Sequence, residues 1–115
     1  LLVVCLCAHW CGTCRDYQAV FVGAQGRFQA LARFDQIDIE DEAELLDDVE
    51  IENFPTLLIA RGERVLFFGT ITPDAQTLAR LIAGAHAGAL DPPASPPPIL
   101  ALARRVTARA QFRRG

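Results

Sequence analysis

A continuous apolar run, Leu1 to Cys7, leads through Ala8-His9-Trp10 into Cys11-Gly12-Thr13-Cys14, where a helical pattern begins. That order constrains the fold more than any other feature of the chain. A run that is apolar at every position suits a strand buried on both faces, as in the centre of a parallel sheet. A strand that feeds directly into a helix is the first half of a βαβ unit. A Cys-x-x-Cys at such a junction reads as a redox dithiol. Two intervening residues let the first turn of a helix bring both sulfurs within disulfide range. Cys11 falls just outside the helix start, where unpaired N–H groups and the positive dipole end favour a thiolate, the attacking species. Cys14 lies one turn in, is more shielded, and is suited to resolving a mixed disulfide.

The competing use of such a pair is zinc. A four-cysteine zinc site wants a second pair on another loop. The remaining cysteines are Cys5 and Cys7, on the strand just before. Two strand residues on one side do not readily wrap a tetrahedron with a helix-start pair, so no metal is expected. Cys5 and Cys7 read as small buried core residues. An inert remnant of the fold is the alternative for Cys11 and Cys14.

Downstream, Tyr17, Val20, Phe21, Ala24, Phe28 and Leu31 form a helical stripe, predicting a helix from Thr13 to about Arg33. Phe34 to Ile39 reads as a short strand, with Ile37 and Ile39 alternating with polar neighbours. Glu40 to Asp48 reads as an acidic surface helix. Thr56 to Ala60 is a third strand, Arg61 to Arg64 a hairpin turn around Gly62, and Val65 to Phe68 a fourth strand ending at Gly69. Thr72-Pro73-Asp74 reads as a helix start with Thr72 as the cap. Ala75, Leu78, Ala79, Ile82 and Ala85 continue that helix to about Gly88. The order β-α-β-α-β-β-α, with a right-handed crossover between the parallel strands, makes a four-stranded mixed sheet with helices on both faces.

The 115 residues suffice for one small domain. Residues 1–90 are read as that domain, 91–98 as a stiff proline-rich linker, and 99–115 as a basic tail. Ten of the 14 acids lie between Asp35 and Glu52, and all 11 basic residues are Arg. Six arginines against 14 acids give residues 1–91 a net −8, and five arginines give the tail +5. The acidic segment reads mostly as a solvated face and the tail as mostly disordered. A short basic helix from Ile99 to Arg114 is the alternative. Its apolar face, Ile99, Leu102, Ala103, Val106 and Ala110, is narrow. Truncation after Asp91 is accordingly expected to leave the melting temperature nearly unchanged. No apolar run approaches membrane-span length. The chain starts at Leu1 and has no Met, so its natural N-terminus is expected upstream.

Trp10-Cys11-Gly12-Thr13-Cys14 after an apolar strand, followed by Phe54-Pro55-Thr56 with Pro55 44 residues beyond Cys11, resembles the thioredoxin family. The resemblance covers about Leu1 to Gly88. It implies a thioredoxin-like α/β fold, dithiol–disulfide exchange on protein substrates, and a cis Pro55 packed against the cysteine pair. Gly69 falls near the family's glycine beside the active site. Three departures stand out. The strand and helix that precede the core in full thioredoxins do not occur in these 115 residues, which is expected either if they lie upstream or if the core is of the smaller glutaredoxin-like kind. The family's buried Asp is Cys5, and its Lys partner is Gln36. The Pro between the cysteines is Thr13, which implies a less reducing pair. A buried neutral Cys5 is a poor base, so resolution by Cys14 is expected to be slow, and Cys5→Asp to speed it.

The expected function is therefore a thiol–disulfide oxidoreductase that reduces protein disulfides through Cys11 and Cys14. Trp10, Phe54, Pro55, Thr56 and Gly69 are the candidate substrate-binding residues, Phe54 and Thr56 flanking a bound peptide. The alternatives for Trp10, Phe54 and Thr56 are plain packing. His9 is either a tuner of the site or an exposed loop residue. The expected partners are protein disulfides and a dithiol electron donor, with no cofactor, nucleic acid or membrane span. A monomer in the cytoplasm is expected, with the periplasm as the other possible setting. The alternative from another class is a thioredoxin-fold interaction module with weak or no redox activity.

Overall fold

The computed structural model describes residues 1–112. Strand β1 (Leu2–Cys7) leads to helix α1 (Gly12–Phe28), strand β2 (Arg33–Asp38), a single helical turn α2 (Ala43–Leu46), strands β3 (Thr56–Arg61) and β4 (Arg64–Thr70), and helices α3 (Ala75–His86) and α4 (Pro97–Phe112). The sheet order is β2-β1-β3-β4. β1 runs parallel to β2 and antiparallel to β3, and β3 runs antiparallel to β4. This is the mixed sheet that the order of elements predicts.

β1 lies inside the sheet and shares its side chains between two cores. Val3 and Cys5 face one layer with Tyr17 and Phe21 of α1 and Leu78 and Ile82 of α3, and Cys7 packs against it. Leu2, Val4 and Leu6 face the other, with Ile37, Leu58, Leu102 and Val106. Successive strand side chains alternate between faces, so a strand between two layers must be apolar throughout. That is the physical content of the Leu1–Cys7 run.

Three elements differ from their expected form. α1 stops at Phe28, where the N–H groups of Leu31 and Ala32 bond the Phe28 carbonyl at 2.9 and 3.1 Å. The Arg33 N–H is then taken by the Leu1 carbonyl at 2.8 Å, which commits the chain to β2. The acidic segment forms only one helical turn. Asp38 Oδ1 accepts the N–H groups of Glu40 and Asp41 and holds a turn there. Asp47 then adopts φ 50°, outside the helical range, and ends α2. Finally, α3 is capped by Asp74, not Thr72. Asp74 accepts from the Thr77 N–H at 2.7 Å, and the Thr72 hydroxyl donates to Asp74 instead.

The segment beyond Leu90 differs most from the favoured reading of disorder: its described part forms helix α4 against the sheet, the alternative read for Ile99 to Arg114. Leu102, Ala103 and Val106 are buried there, with Ile99 and Ala110 packed alongside. The narrow apolar stripe is sufficient because the second face of the sheet has no other long helix among the described residues to cover it. Arg105 adds polar anchoring, donating to the carbonyls of Leu45 and Leu46 at 2.6 and 3.2 Å. The portion of the tail expectation that concerns residues 113–115 lies outside the described residues.

Candidate active site

The site forms where β1 passes into α1. Cys11 occupies the N-cap position with extended backbone angles, φ −82° and ψ 123°. Its carbonyl accepts the Arg15 N–H at 3.1 Å, opening the helix, while its own N–H donates to the Ala8 carbonyl at 3.0 Å. Arg15 also donates to the His9 carbonyl at 2.9 Å, which ties the loop to the first helical turn. Cys14, in that turn, is buried, whereas Cys11 is partly exposed.

The pairing of the sulfurs differs from the sequence expectation. Cys14 is disulfide-bonded to Cys7, and Cys11 is free. Cys7 is therefore more than a core residue. Period-two alternation along β1 puts Cys7 on the face that carries Cys5, beneath α1, and the first turn of α1 lowers Cys14 onto that face. The signal was present in the sequence: a cysteine at the end of a strand, on the helix-covered side, within one loop of a second cysteine. Cys5 is free and buried, and burial pushes its thiol up to about 12. It is neutral at physiological pH, as expected for a poor base.

The second motif meets the first through its aromatic residue. The Trp10 and Phe54 rings pack edge to face with centroids 5.8 Å apart. Such an arrangement sets the positive ring edge against the negative face. Trp10 is nonetheless 60% exposed, and its indole N–H donates to Glu40. The Phe54–Pro55 peptide is cis, as the resemblance implies. Pro55 is buried, and its carbonyl accepts the Ile71 N–H at 3.2 Å. Thr56 is buried too, and its hydroxyl donates to the Asn53 carbonyl at 2.7 Å. Gly69 lies on β4 opposite Leu57. The structure thus brings Phe54 against Trp10, the chain neighbour of Cys11, with Pro55 next to Phe54, and keeps Thr56 and Gly69 within the sheet.

On the other side of the disulfide lies an open groove of about 470 Å³, lined by Cys7, Cys14, His9, Arg15, Asp38 and Arg109 among others. His9 Nδ1 is 2.9 Å from Asp38 and Nε2 is 3.5 Å from Asp41. Burial alone would push the Asp38 carboxyl up. The N–H groups of Asp41, His9 and Glu40, together with the His9 charge, outweigh that and hold it below the usual carboxylate range. His9, Asp38 and Asp41 are close enough together to hold a metal ion. Both imidazole nitrogens already face carboxylates, however, and both Asp38 oxygens accept backbone N–H groups, so the cluster is accounted for as an ion pair over a turn.

A Cys-x-x-Cys at the start of the helix after a central strand, together with a cis-proline before β3 in a mixed four-stranded sheet, defines the thioredoxin class of folds. The family model described as Thioredoxin matches residues 1–83. The chain belongs to the thioredoxin family. It is 37% identical over 62 residues to thioredoxin H2-1 of Oryza sativa subsp. japonica, covering 54% of this chain and 44% of the relative. It is 27% identical over 66 residues to thioredoxin-1 of Drosophila yakuba, covering 57% and 62%. The chain thus spans less than two thirds of these relatives. Among solved structures, thioredoxin from Trypanosoma brucei brucei superposes with a TM-score of 0.65 at 22% identity, covering 74% of each chain. The germline-specific thioredoxin Deadhead of Drosophila melanogaster gives 0.64 at 23%, covering 71% of this chain and 77% of that one. Among the described residues, no helix is long and apolar enough to cross a membrane.

Proposed function

We propose that the protein is a thiol–disulfide oxidoreductase that reduces protein disulfides, with Cys11 as the attacking sulfur and Cys14 as the resolving one. The observation that carries this reading is the placement of two sulfurs at one strand–helix junction. Cys11 stands free and partly exposed at the N-cap of α1, and Cys14 lies buried one turn in. Cys11 attacks a substrate disulfide, and one substrate sulfur leaves as a thiolate. Cys14, a thiolate once a dithiol donor has reduced its bond to Cys7, then attacks Cys11 in the mixed disulfide and releases the second substrate sulfur. A dithiol donor supplies the two electrons that reset the pair. Trp10, Phe54 and Pro55 form the surface a substrate segment meets on approaching Cys11. Electron flow from donor to substrate suits a reducing compartment such as the cytoplasm.

Turbidity of insulin under a dithiol donor tests this. The wild-type chain is expected to accelerate precipitation of the reduced B chain over donor alone, and Cys11→Ser to lose that acceleration. A wild type no faster than donor alone would instead favour the interaction module, in which Trp10 and Phe54 serve docking only.

A further inference from the structure

We propose that Cys7 is a third redox sulfur of this site, and that it exchanges with Cys11 for possession of Cys14. The proposal rests on the reading of Cys11 and Cys14 as the working pair, and it adds a resting form to that pair.

The geometry leads there directly. Cys14 is only 7% exposed, so the sulfurs that reach it are chiefly those the protein itself delivers. The fold delivers two. Cys7 comes from the last position of β1, on the face beneath α1, and is bonded to Cys14. Cys11 comes from the N-cap of the helix whose first turn carries Cys14. Cys5 lies on the same face but deeper, free and buried, and its neutral thiol does not compete.

The exchange is a balanced isomerisation. The Cys11 thiolate attacks Cys14 Sγ, the Cys11–Cys14 bond forms as the Cys7–Cys14 bond breaks, and the electron pair leaves on Cys7, which takes up a proton. No net oxidation or reduction occurs, and no outside reagent is needed. The two isomers differ in what they can do. With Cys14 bonded to Cys7, Cys11 can capture a substrate disulfide, but Cys14 is unable to release it. With Cys14 bonded to Cys11, a dithiol donor resets the working pair in one two-electron step. Cys7 is partly exposed in the groove beside His9 and Arg15, which gives a small dithiol a second route, attack on the Cys7 sulfur of the resting disulfide.

The test maps disulfides in the full chain equilibrated in glutathione buffers of several reduced-to-oxidised ratios. Free thiols are alkylated at an acid quench, and the chain is cut without reduction. Cleavage after Leu6 and Trp10 separates Cys7 from the segment carrying Cys11 and Cys14. A Cys7–Cys14 bond then links two peptides, and a Cys11–Cys14 bond lies within one. The wild type is expected to contain both isomers, in a ratio that stays constant as the glutathione ratio changes, because their interconversion consumes no electrons. Cys11→Ser is expected to keep the Cys7–Cys14 link, and Cys7→Ser to show only Cys11–Cys14. A wild type with a single isomer under all buffers overturns the exchange, whichever isomer it is, and so does a Cys11→Ser variant that carries glutathione on Cys14 with no link to Cys7. The wild-type map needs no variant to fold. Both isomers in a wild type inert toward insulin would refute the reductase reading while sustaining the exchange.

Discussion

The Arg109 guanidinium lies 2.6 Å from the Glu42 carboxylate, joining α4 to the loop that follows β2. The same guanidinium is 3.7 Å from Asp35 on β2, and the Arg109 side chain is only 13% exposed. Removing the cation leaves two carboxylates facing one another in a partly dry setting. Arg109→Ala is expected to cost more than the ~1 kcal/mol of an exposed pair and no more than the ~3–5 kcal/mol of a fully buried one. Urea unfolding of the variant beside wild type measures this, and a midpoint unchanged from wild type would show the pair to be idle.

α4 is part of the folded unit, so its apolar residues should behave as core. Leu102 is fully buried against the second face of the sheet. Leu102→Ala is expected to destabilise by about 2–5 kcal/mol, the range for buried Leu to Ala. Truncation after Asp91 should lower the melting temperature by more than Leu102→Ala does, the reverse of the expectation from sequence. A truncated chain that melts with the wild type would mean that α4 docks without stabilising.

Stability should fall on the alkaline side. Burial raises the Cys5 thiol to about 12, and it also raises the Tyr17 hydroxyl. The contribution of a raised group is complete below its unfolded pKa, about 8.5 for a thiol, and is lost as pH climbs toward the folded value. Over that window each such group costs up to about 1.4 kcal/mol per pH unit. Cys5→Ala is therefore expected to show a shallower alkaline decline than wild type in urea midpoints at about pH 8 and about pH 10. Parallel slopes would mean that Cys5 ionises as readily folded as unfolded.

The acid side rests on capping. The Thr77 N–H, with the Thr72 and Thr77 hydroxyls, holds the Asp74 carboxyl below its ordinary range, and Asp38 is lowered as well. A lowered carboxylate contributes above its unfolded pKa of about 3.9 and loses that contribution as pH falls through the folded value. Asp74→Ala should melt lower than wild type at neutral pH and lose less on acidification. Asp74→Asn, which can still cap α3, should fall between them at neutral pH. Melting curves from neutral to acid pH decide this; equal losses on acidification in all three chains would remove Asp74 from the account.

Local chemistry explains what could be read from the chain. The all-apolar β1 run announced a strand between two layers and Gly62 marked the hairpin; both are governed by neighbours in sequence, whereas the cis Phe54–Pro55 bond was implied by the family resemblance, since an X-Pro bond is by itself mostly trans. The misreadings share another origin. Leu102, Ala103 and Val106 make too narrow a stripe to hold a lone helix, and only the uncovered face of a distant sheet gives them value. Thr72 and Asp74 are both good caps, and the contest was settled by which side chain reached the Thr77 N–H. At the site, Cys11-x-x-Cys14 was conspicuous as a motif. The Cys7–Cys14 link was not, because it depends on the facing of β1 under α1 as well as on spacing.

The place of β1 in the sheet bears also on how the chain is made. β1 is flanked by β2 and β3, both of which follow it in sequence. During synthesis on the ribosome it emerges before either neighbour exists to bond it. The most uniformly apolar strand of the protein is thus left as a bare edge until the β3–β4 hairpin arrives, and such edges are templates for pairing with other chains. The interval between the emergence of β1 and that of β3 is where a nascent chain of this kind is most exposed to aggregation and most in need of a chaperone.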